Sequence, residues 1–353
     1  MEWETVVTGK PSYILPTMKE INAIPWNGLT VISTFSGCGG SSLGYKAAGF
    51  RVVWANEFIP AAQETYAANF PQTILDKSDI RNIQPEAVLK AIGMASGEID
   101  ILDGSPPCAS FSTSGKREAS WGNVKKYSDT TQRTDDLFFE YARLVDGLQP
   151  KVFVAENVSG LIKGTAKGYF KIILARLKEC GYNVRAKVLD AKWLGVPQSR
   201  KRVIFVGVRN DIDKAPAFPV PLCYYLSLRD AIAQCGEPVE AESDIARYAI
   251  GKEWRKLVPG QKSAKYLNLK RTSMDKPCPT VTQTGNNRGA ACVLHPLECR
   301  RFSIGELKRI CGFPNDFVLT GTYSQQWERL GRAVPPPMMA AIATAIRNKV
   351  FDT

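Results

Sequence analysis

The sequence predicts an α/β fold, a parallel sheet wound with helices that carries a second, smaller domain. Three observations predict it. Between Leu29 and about Gly207, short apolar runs alternate with stretches of helical spacing, the pattern of βαβ units. A glycine-rich turn, FSGCGGSSLG at 35–44, joins the first apolar run to the first helical stretch. After Arg209 the alternation weakens, prolines cluster at 216, 219 and 221, and basic residues accumulate. With 353 residues the chain has ample length for one large core and a small one.

Leu29 to Phe35 is apolar and β-rich, which predicts the first strand, with a loop at 36–40 and a helix over 41–48. Arg51 to Asn56 reads as the second strand and Ala61 to Asn69 as a helix. The run Ile99 to Asp103 predicts a buried strand that ends at GSPPCASFS, 104–112. A long polar loop, 112–134, and an amphipathic helix, Leu137 to Leu148, lead to the next strand, Lys151 to Ala155, which ends at Glu156-Asn157-Val158. Val184 to Leu189 and Arg202 to Val208 complete the expected core. Toward the C-terminus, Glu306 to Cys311 and Pro337 to Lys349 have helical spacing, and the last helix is expected to fold back on the first domain. Residues 1–28 form a leader with no assignment.

Composition removes several chemistries. The only histidine is His295, followed by Pro296, so it reads as a turn residue, and His-dependent triads or multi-His metal sites are not expected. Nine cysteines without C-x-x-C spacing, several in apolar surroundings (Cys180, Cys292, Cys311), suit reduced, packed thiols in a cytoplasmic protein. Met1 to Asn27 lacks the apolar stretch of a signal peptide, and no run is long enough to span a membrane. The net charge of +12 favours a polyanionic partner. The surplus is local: positions 247–276 hold nine Lys or Arg and two acids.

The motifs bear the chemistry. Pro106 and Pro107 fix φ and remove two donors, so the turn before Cys108 is stiff and its thiol is aimed. Glu156 and Asn157 follow a second strand, which would set an acid beside that nucleophile at the carboxyl edge of the sheet. QSRKR at 198–202 offers a fixed cation, although such runs are commonly solvated turns. Gly37, Gly39 and Gly40 let a ligand approach the backbone at a helix N-terminus, and Glu57, twenty residues after Gly37, is placed to accept from ribose hydroxyls. A nicotinamide cofactor fits those residues equally well, and a glycine turn without a ligand is the bland alternative.

Taken in order, F-x-G-x-G-G at 35–40, Pro-Pro-Cys at 106–108, Glu-Asn-Val at 156–158, Q-x-R-x-R at 198–202, PTVT at 279–282, GFPNDF at 312–317 and GRAVPPPM at 331–338 resemble the DNA cytosine-5 methyltransferases. The resemblance runs from Leu29 to Ile346. It implies a Rossmann-like S-adenosylmethionine-dependent methyltransferase domain with a smaller inserted target-recognition domain. Residues 29–209 would be catalytic and cofactor-binding, 210–285 the recognition domain, and 286–353 a segment returning to the catalytic domain. The expected reaction moves a methyl group to carbon 5 of a cytosine flipped out of a specific double-stranded sequence, leaving S-adenosylhomocysteine and needing no metal. Carbon 5 is too weak a nucleophile by itself; a thiolate adding at carbon 6 would make it enamine-like, and free thiols ionise only near about 8.5.

By that resemblance Cys108 is the nucleophile, Glu156 bonds the ring nitrogen and exocyclic amine, Arg202 reaches the cytosine carbonyl, and Arg200, Gln198 and Asn157 complete the catalytic set. The implied cofactor set is Phe35 stacked on the adenine, Ser36, Gly37, Cys38, Gly39, Gly40, Glu57, Phe58, Asp79 on the adenine amino group, Ile80, Ser105, Pro107, Leu137 and Arg332. Implied DNA contacts are Ser114, Lys116 and Arg117 in a loop that could close over the duplex, with Lys262, Lys265, Lys270 and Arg271 in the basic run. A monomer in the cytoplasm, near the nucleoid of a bacterium or phage-infected cell, is expected, with a restriction endonuclease as a functional counterpart. Ala109 replaces the family's usual Gln and Arg332 its usual Asn. Arg332 is expected either to pair with the cofactor carboxylate, Glu57 or Asp79, or to point to solvent. The tRNA-methylating branch carries Cys-Phe-Thr, a tripeptide absent from this chain. A catalytically dead regulator would not need Cys108, Glu156 and Arg202 together.

Overall fold

A computed structural model describes residues 10–107, 125–127, 130–132, 136–162, 166–233, 235–236, 239–266, 269–283 and 293–352. Seven strands form the central sheet: β1 (Thr30–Thr34), β2 (Arg51–Asn56), β3 (Ile74–Asp76), β4 (Ile101–Gly104), β5 (Val152–Val158), β6 (Tyr182–Asp190) and β7 (Lys201–Arg209). Their spatial order is β3-β2-β1-β4-β5-β7-β6. The reversal lies between β1 and β4, the usual place for a ligand in an open α/β sheet.

The sheet is not wholly parallel, as the strand–helix alternation suggested. β7 runs antiparallel to both neighbours, pairing Ile204 with Glu156 on one side and with Lys187 on the other. The reason is length: the 191–200 connection is too short for a crossover, which needs about a dozen residues or more. A second correction follows from the first. Glu156 does not cap a strand end, because pairing with β7 extends β5 through Val158.

Central strands are buried on both faces, which explains their continuous apolar runs. One face (Ile32, Leu102, Phe153, Phe205) packs on α4 (Pro85–Ile92), α5 (Leu137–Leu148) and α6 (Ala166–Glu179). The other (Val31, Ile101, Val154, Val206) packs on α2 (Gly40–Ala47) and on Met338, Met339, Ile342 and Ile346 of α11 (Pro336–Ile346). The C-terminal helix thus returns to the first domain.

The leader is a strap. Its short helix α1 (Met18–Asn22) has a Thr17/Glu20 capping box, Tyr13 donates to the Arg309 carbonyl at 2.7 Å, and the Met18 amide donates to Asp316 at 3.0 Å. Met18 and Ile21 join a core with α7 (Leu228–Ile232), α9 (Ile304–Cys311) and α10 (Tyr323–Arg332), the last a helix not anticipated. Within 210–285, Leu228, Ile232, Cys278 and Val281 belong to that core, whereas Ile245, Ile250, Trp254 and Leu269 form a separate small one with Leu294. Two short strands, 125–127 and 130–132, pair inside the expected polar loop. His295 sits at a turn but is buried: its Nδ1 accepts the Glu298 amide at 3.0 Å, and burial lowers its pKa.

Helices α2 and α11 cross tightly at Gly44. A Cβ there would lie 2.6 Å from both Met339 Cβ and the Pro336 carbonyl oxygen. Gly44→Ala should therefore destabilise the protein by about 1–3 kcal/mol, read as a lower urea midpoint with an unchanged slope. An unchanged midpoint would mean that the crossing yields without cost.

Candidate active site

The acid and the cation meet as two neighbouring strands place them. Arg202, near the start of β7, is diagonal to Glu156 on β5, and its Nε lies 2.8 Å from Oε1. The contact is ionic rather than an aligned hydrogen bond, so Oε1 keeps acceptor capacity. Both side chains are largely withdrawn from solvent, which strengthens the attraction. Asn157, the next residue, donates from Nδ2 to the Pro106 carbonyl at 3.1 Å, while its Oδ1 accepts the Val158 amide at 2.8 Å. This ties the Glu-Asn strand to the Pro106-Pro107 turn. Cys108 lies just beyond that turn and outside the described residues, as do Ser114, Lys116 and Arg117.

Arg200 is enclosed, not presented to a substrate. Its Nη1 donates to the carbonyls of Val281 at 3.2 Å and Gly331 at 3.0 Å, and its Nη2 to that of Arg332 at 3.1 Å. Burial pulls its pKa down to about 9, which still leaves it charged at neutral pH. It staples three separated segments. Gln198 does similar work: Oε1 accepts the Val281 amide at 3.3 Å and Nε2 donates to Cys311 Sγ at 3.3 Å. A short parallel pairing of Gln198–Ser199 with Cys278–Pro279 joins the same parts.

The glycine turn follows β1. Phe35 takes a left-handed φ of 51° that a non-glycine residue adopts only under local constraint. Gly37, at φ 57°, has open space where a Cβ would stand, so a ligand can approach its backbone. At Gly39 the same position would lie 2.2 Å from the Phe70 ring and at Gly40 2.2 Å from the Val334 carbonyl, so both must be glycine. Ser36 and Cys38 are buried in the turn. Glu57 accepts the Gly37 amide at Oε2 and the Ile59 amide at Oε1, both at 2.7 Å. Burial raises its pKa, and the two amides oppose the rise. It braces the turn directly, a role the sequence reading did not give it. Phe58 beside it is half-buried.

Asp79 also has a protein partner. Arg81 bridges it to Asp136 with contacts of 2.9 and 2.8 Å, which sets Asp79 and Ile80 against the start of α5. Leu137, the first residue of α5, is buried in the core, while Ser105 and Pro107 are half-buried after β4. Arg332, the last residue of α10, pairs with Glu328 one turn earlier at 2.6 Å. It neither points to solvent nor contacts Asp79; Glu57 feels its charge without a direct contact. In the basic run, Lys262 and Lys265 are exposed and Lys270 half-buried. Arg271 instead stacks 3.7 Å over Trp254 and donates to the carbonyls of Pro296 and Leu257, so it packs the small core.

Two buried groups escaped the sequence reading. Tyr141 on α5 donates to the carbonyls of Leu102 and Val154, both at 3.0 Å, and so bridges β4 and β5. Asp103 on β4 is almost fully buried, and burial pushes its carboxyl up to about 7. An ionisable residue closing the apolar run Ile99–Asp103 was the available signal. Among the described residues no cluster of His, Cys, Asp and Glu could hold a metal ion, and no helix is long and apolar enough to cross a membrane.

The C-5 cytosine-specific DNA methylase family matches residues 29–348. The chain belongs to that family. It is 30% identical to the Type II methyltransferase M.NgoPII of Neisseria gonorrhoeae, over 94% of this chain and 99% of that protein. It is 31% identical to M.MthTI of Methanothermobacter thermautotrophicus, over 91% and 97%. The fold is similar to an E. coli structure described as a DNA modification methyltransferase encoded within a prophage (TM-score 0.74, 22% identity, 92% of this chain, 100% of that one). A Spodoptera frugiperda DNMT2 variant is similar as well (TM-score 0.65, 19% identity, 89% and 98%). The protein is therefore a DNA (cytosine-5)-methyltransferase.

Arg200→Met should remove a charged donor from three carbonyls while keeping much of the side-chain volume. We expect a loss of about 3 kcal/mol or more, measured by urea unfolding at neutral pH. A loss below about 1 kcal/mol would show that Arg200 is not the staple its contacts describe.

Proposed function

We propose that this methyltransferase moves the methyl group of S-adenosylmethionine to carbon 5 of a cytosine flipped out of a specific double-stranded DNA sequence, through a covalent Cys108 adduct at carbon 6. The Glu156–Arg202 pair, tied by Asn157 to the Pro106-Pro107 turn that precedes Cys108, carries this reading. The residues of the glycine turn fit the cofactor: the backbone at Gly37 is open, and the buried Glu57 beneath it puts a carboxylate beside the turn at the reversal of strand order. The cofactor supplies an electrophilic methyl group.

The protein's part is positioning and charge. The Cys108 thiolate bonds carbon 6 while Glu156 holds the ring nitrogen and exocyclic amine, which favours a ring able to accept the electron pair. Arg202 beside Glu156 takes up charge developing on the ring carbonyl. Carbon 5 then takes the methyl group; loss of its proton to a base and departure of the thiolate restore the ring. The base must leave the stack because carbon 6 is shielded inside a duplex. Lys262, Lys265 and Lys270, with Ser114, Lys116 and Arg117, are the proposed phosphate and base-gap contacts, and 210–285 is the proposed recognition segment. Relatives bear the name Type II methyltransferase, which favours a role as the protective partner of a restriction endonuclease.

Cys108→Ser should abolish methyl transfer and leave cofactor and DNA binding largely intact, since a serine hydroxyl is hardly ionised at neutral pH. The wild type should form a denaturant-resistant adduct with DNA carrying 5-fluorocytosine, which has no carbon-5 proton to lose. Sequencing of bisulfite-treated DNA from expressing cells reports the site. Undiminished turnover by the serine variant would sink the covalent step. Replacing 210–285 with the matching segment of a relative should move the methylated site; an unmoved site would place recognition elsewhere.

A further inference from the structure

Beneath the glycine turn lies a buried carboxyl that the mechanism above does not use. Asp103, the third residue of β4, is paired in register with Ser33 on β1 and Val154 on β5. Ser33 Oγ donates to its Oδ2 and Tyr45 OH, from α2, to its Oδ1, both at 3.4 Å. The Ser41 hydroxyl, also on α2 and buried, is close enough to influence the carboxyl without a well-formed hydrogen bond. The network continues upward: Ser36 Oγ, in the turn itself, lies 2.9 Å from the Ser33 carbonyl and 3.2 Å from Ser33 Oγ. One carboxyl thus gathers hydroxyls from β1 and α2 and reaches the cofactor turn through Ser33 and Ser36.

We infer that Asp103 is a positioning residue for the cationic end of the cofactor, and that its ionised form favours the sulfonium over the neutral thioether left after methyl transfer. This rests on the S-adenosylmethionine reading above. Asp103 stands on β4, between the strand that leads into the glycine turn and the strand that bears Glu156. Its Oδ2 accepts from Ser33, whose hydroxyl contacts Ser36 in the turn, and the charge of Glu156 reaches it from the other side.

The groups that face Asp103 leave it as the switch. Tyr45 on α2, Tyr66 on α3 (Pro60–Asn69) and Tyr141 on α5 are all pushed upward by burial, far from neutral pH. On β5, Glu156 is paired with Arg202. A cation held above Asp103 favours its ionised form, so binding S-adenosylmethionine should release a proton near neutral pH, whereas binding S-adenosylhomocysteine should release less. By linkage, S-adenosylmethionine affinity rises as pH rises through about 7. A shift of one unit in the Asp103 pKa on binding corresponds to roughly a tenfold change.

Calorimetry on the full chain tests this, with both ligands in buffers of different ionisation heat, between about pH 6 and 8. Asp103→Asn, which keeps the shape and cancels the ligands' own titration, is the reference. The wild type should gain roughly tenfold in its preference for S-adenosylmethionine over S-adenosylhomocysteine across that range, and the variant should show a flat preference. The variant should also fold. A carboxyl raised in the folded state contributes stability that is full at low pH and is lost as pH rises toward 7, so Asp103→Asn should gain on the wild type in thermal midpoint over that climb. Equal pH dependence in the two proteins, or equal dependence for the two ligands, would overturn the inference. Binding of neither ligand by the wild type would overturn the cofactor reading first and the inference with it.

Discussion

The antiparallel insertion of β7 between β5 and β6 is the constraint on which the site depends. A short connection forbids the crossover that would have kept the sheet parallel, so the chain turns back and pairs along the whole of β5. That reversal brings the start of β7 to the edge where β5 ends. Arg202 reaches Glu156 because of it, and Arg200, two residues earlier on the same stretch, is driven inward instead. Within Q-x-R-x-R, Arg202 thus pairs with an acid where β5 ends, while Gln198 and Arg200 fasten the interior.

The interior fastening carries consequences beyond the sheet. Three main-chain carbonyls, from the 278–282 segment and from the end of α10, converge on one guanidinium that burial has deprived of water. A buried charge is costly unless its donors are satisfied. The folded chain therefore gains most when those distant segments close around Arg200 together. The glycine turn rests on the same closure, since Gly40 packs against the Val334 carbonyl and Gly44 against α11. Glycine turn, acid–cation pair and C-terminal segment share one mechanical unit.

Carboxylates under this unit are used in different ways. Glu57 is spent on two backbone amides, Asp79 on Arg81, Glu156 on Arg202, and Asp103 on the hydroxyls of Ser33 and Tyr45. Asp103 is also the one that burial moves to about 7, because hydroxyls compensate a buried negative charge less well than amides or guanidinium groups do.

By itself the sequence determined the class of fold and most of the strands, because each is written in local signals. Continuous apolar runs mark strands buried on both faces, and β2 and α5 begin and end where the spacing places them. Gly37, Gly39, Gly40, Pro106, Pro107 and Glu156 are legible because backbone geometry and chemistry restrict which residue can stand there. The strand reversal, the helix ending at Arg332, the strap formed by the leader, and the division of 210–285 between two cores were not legible. Each depends on contacts between residues far apart in the chain, such as Met18 with Asp316, Val281 with Arg200, and Leu269 with Leu294. The surroundings of Arg200, Arg271 and Asp103 were decided only by tertiary structure. A charged side chain reads the same in a sequence whether it meets solvent or carbonyl oxygens, and only packing settles which.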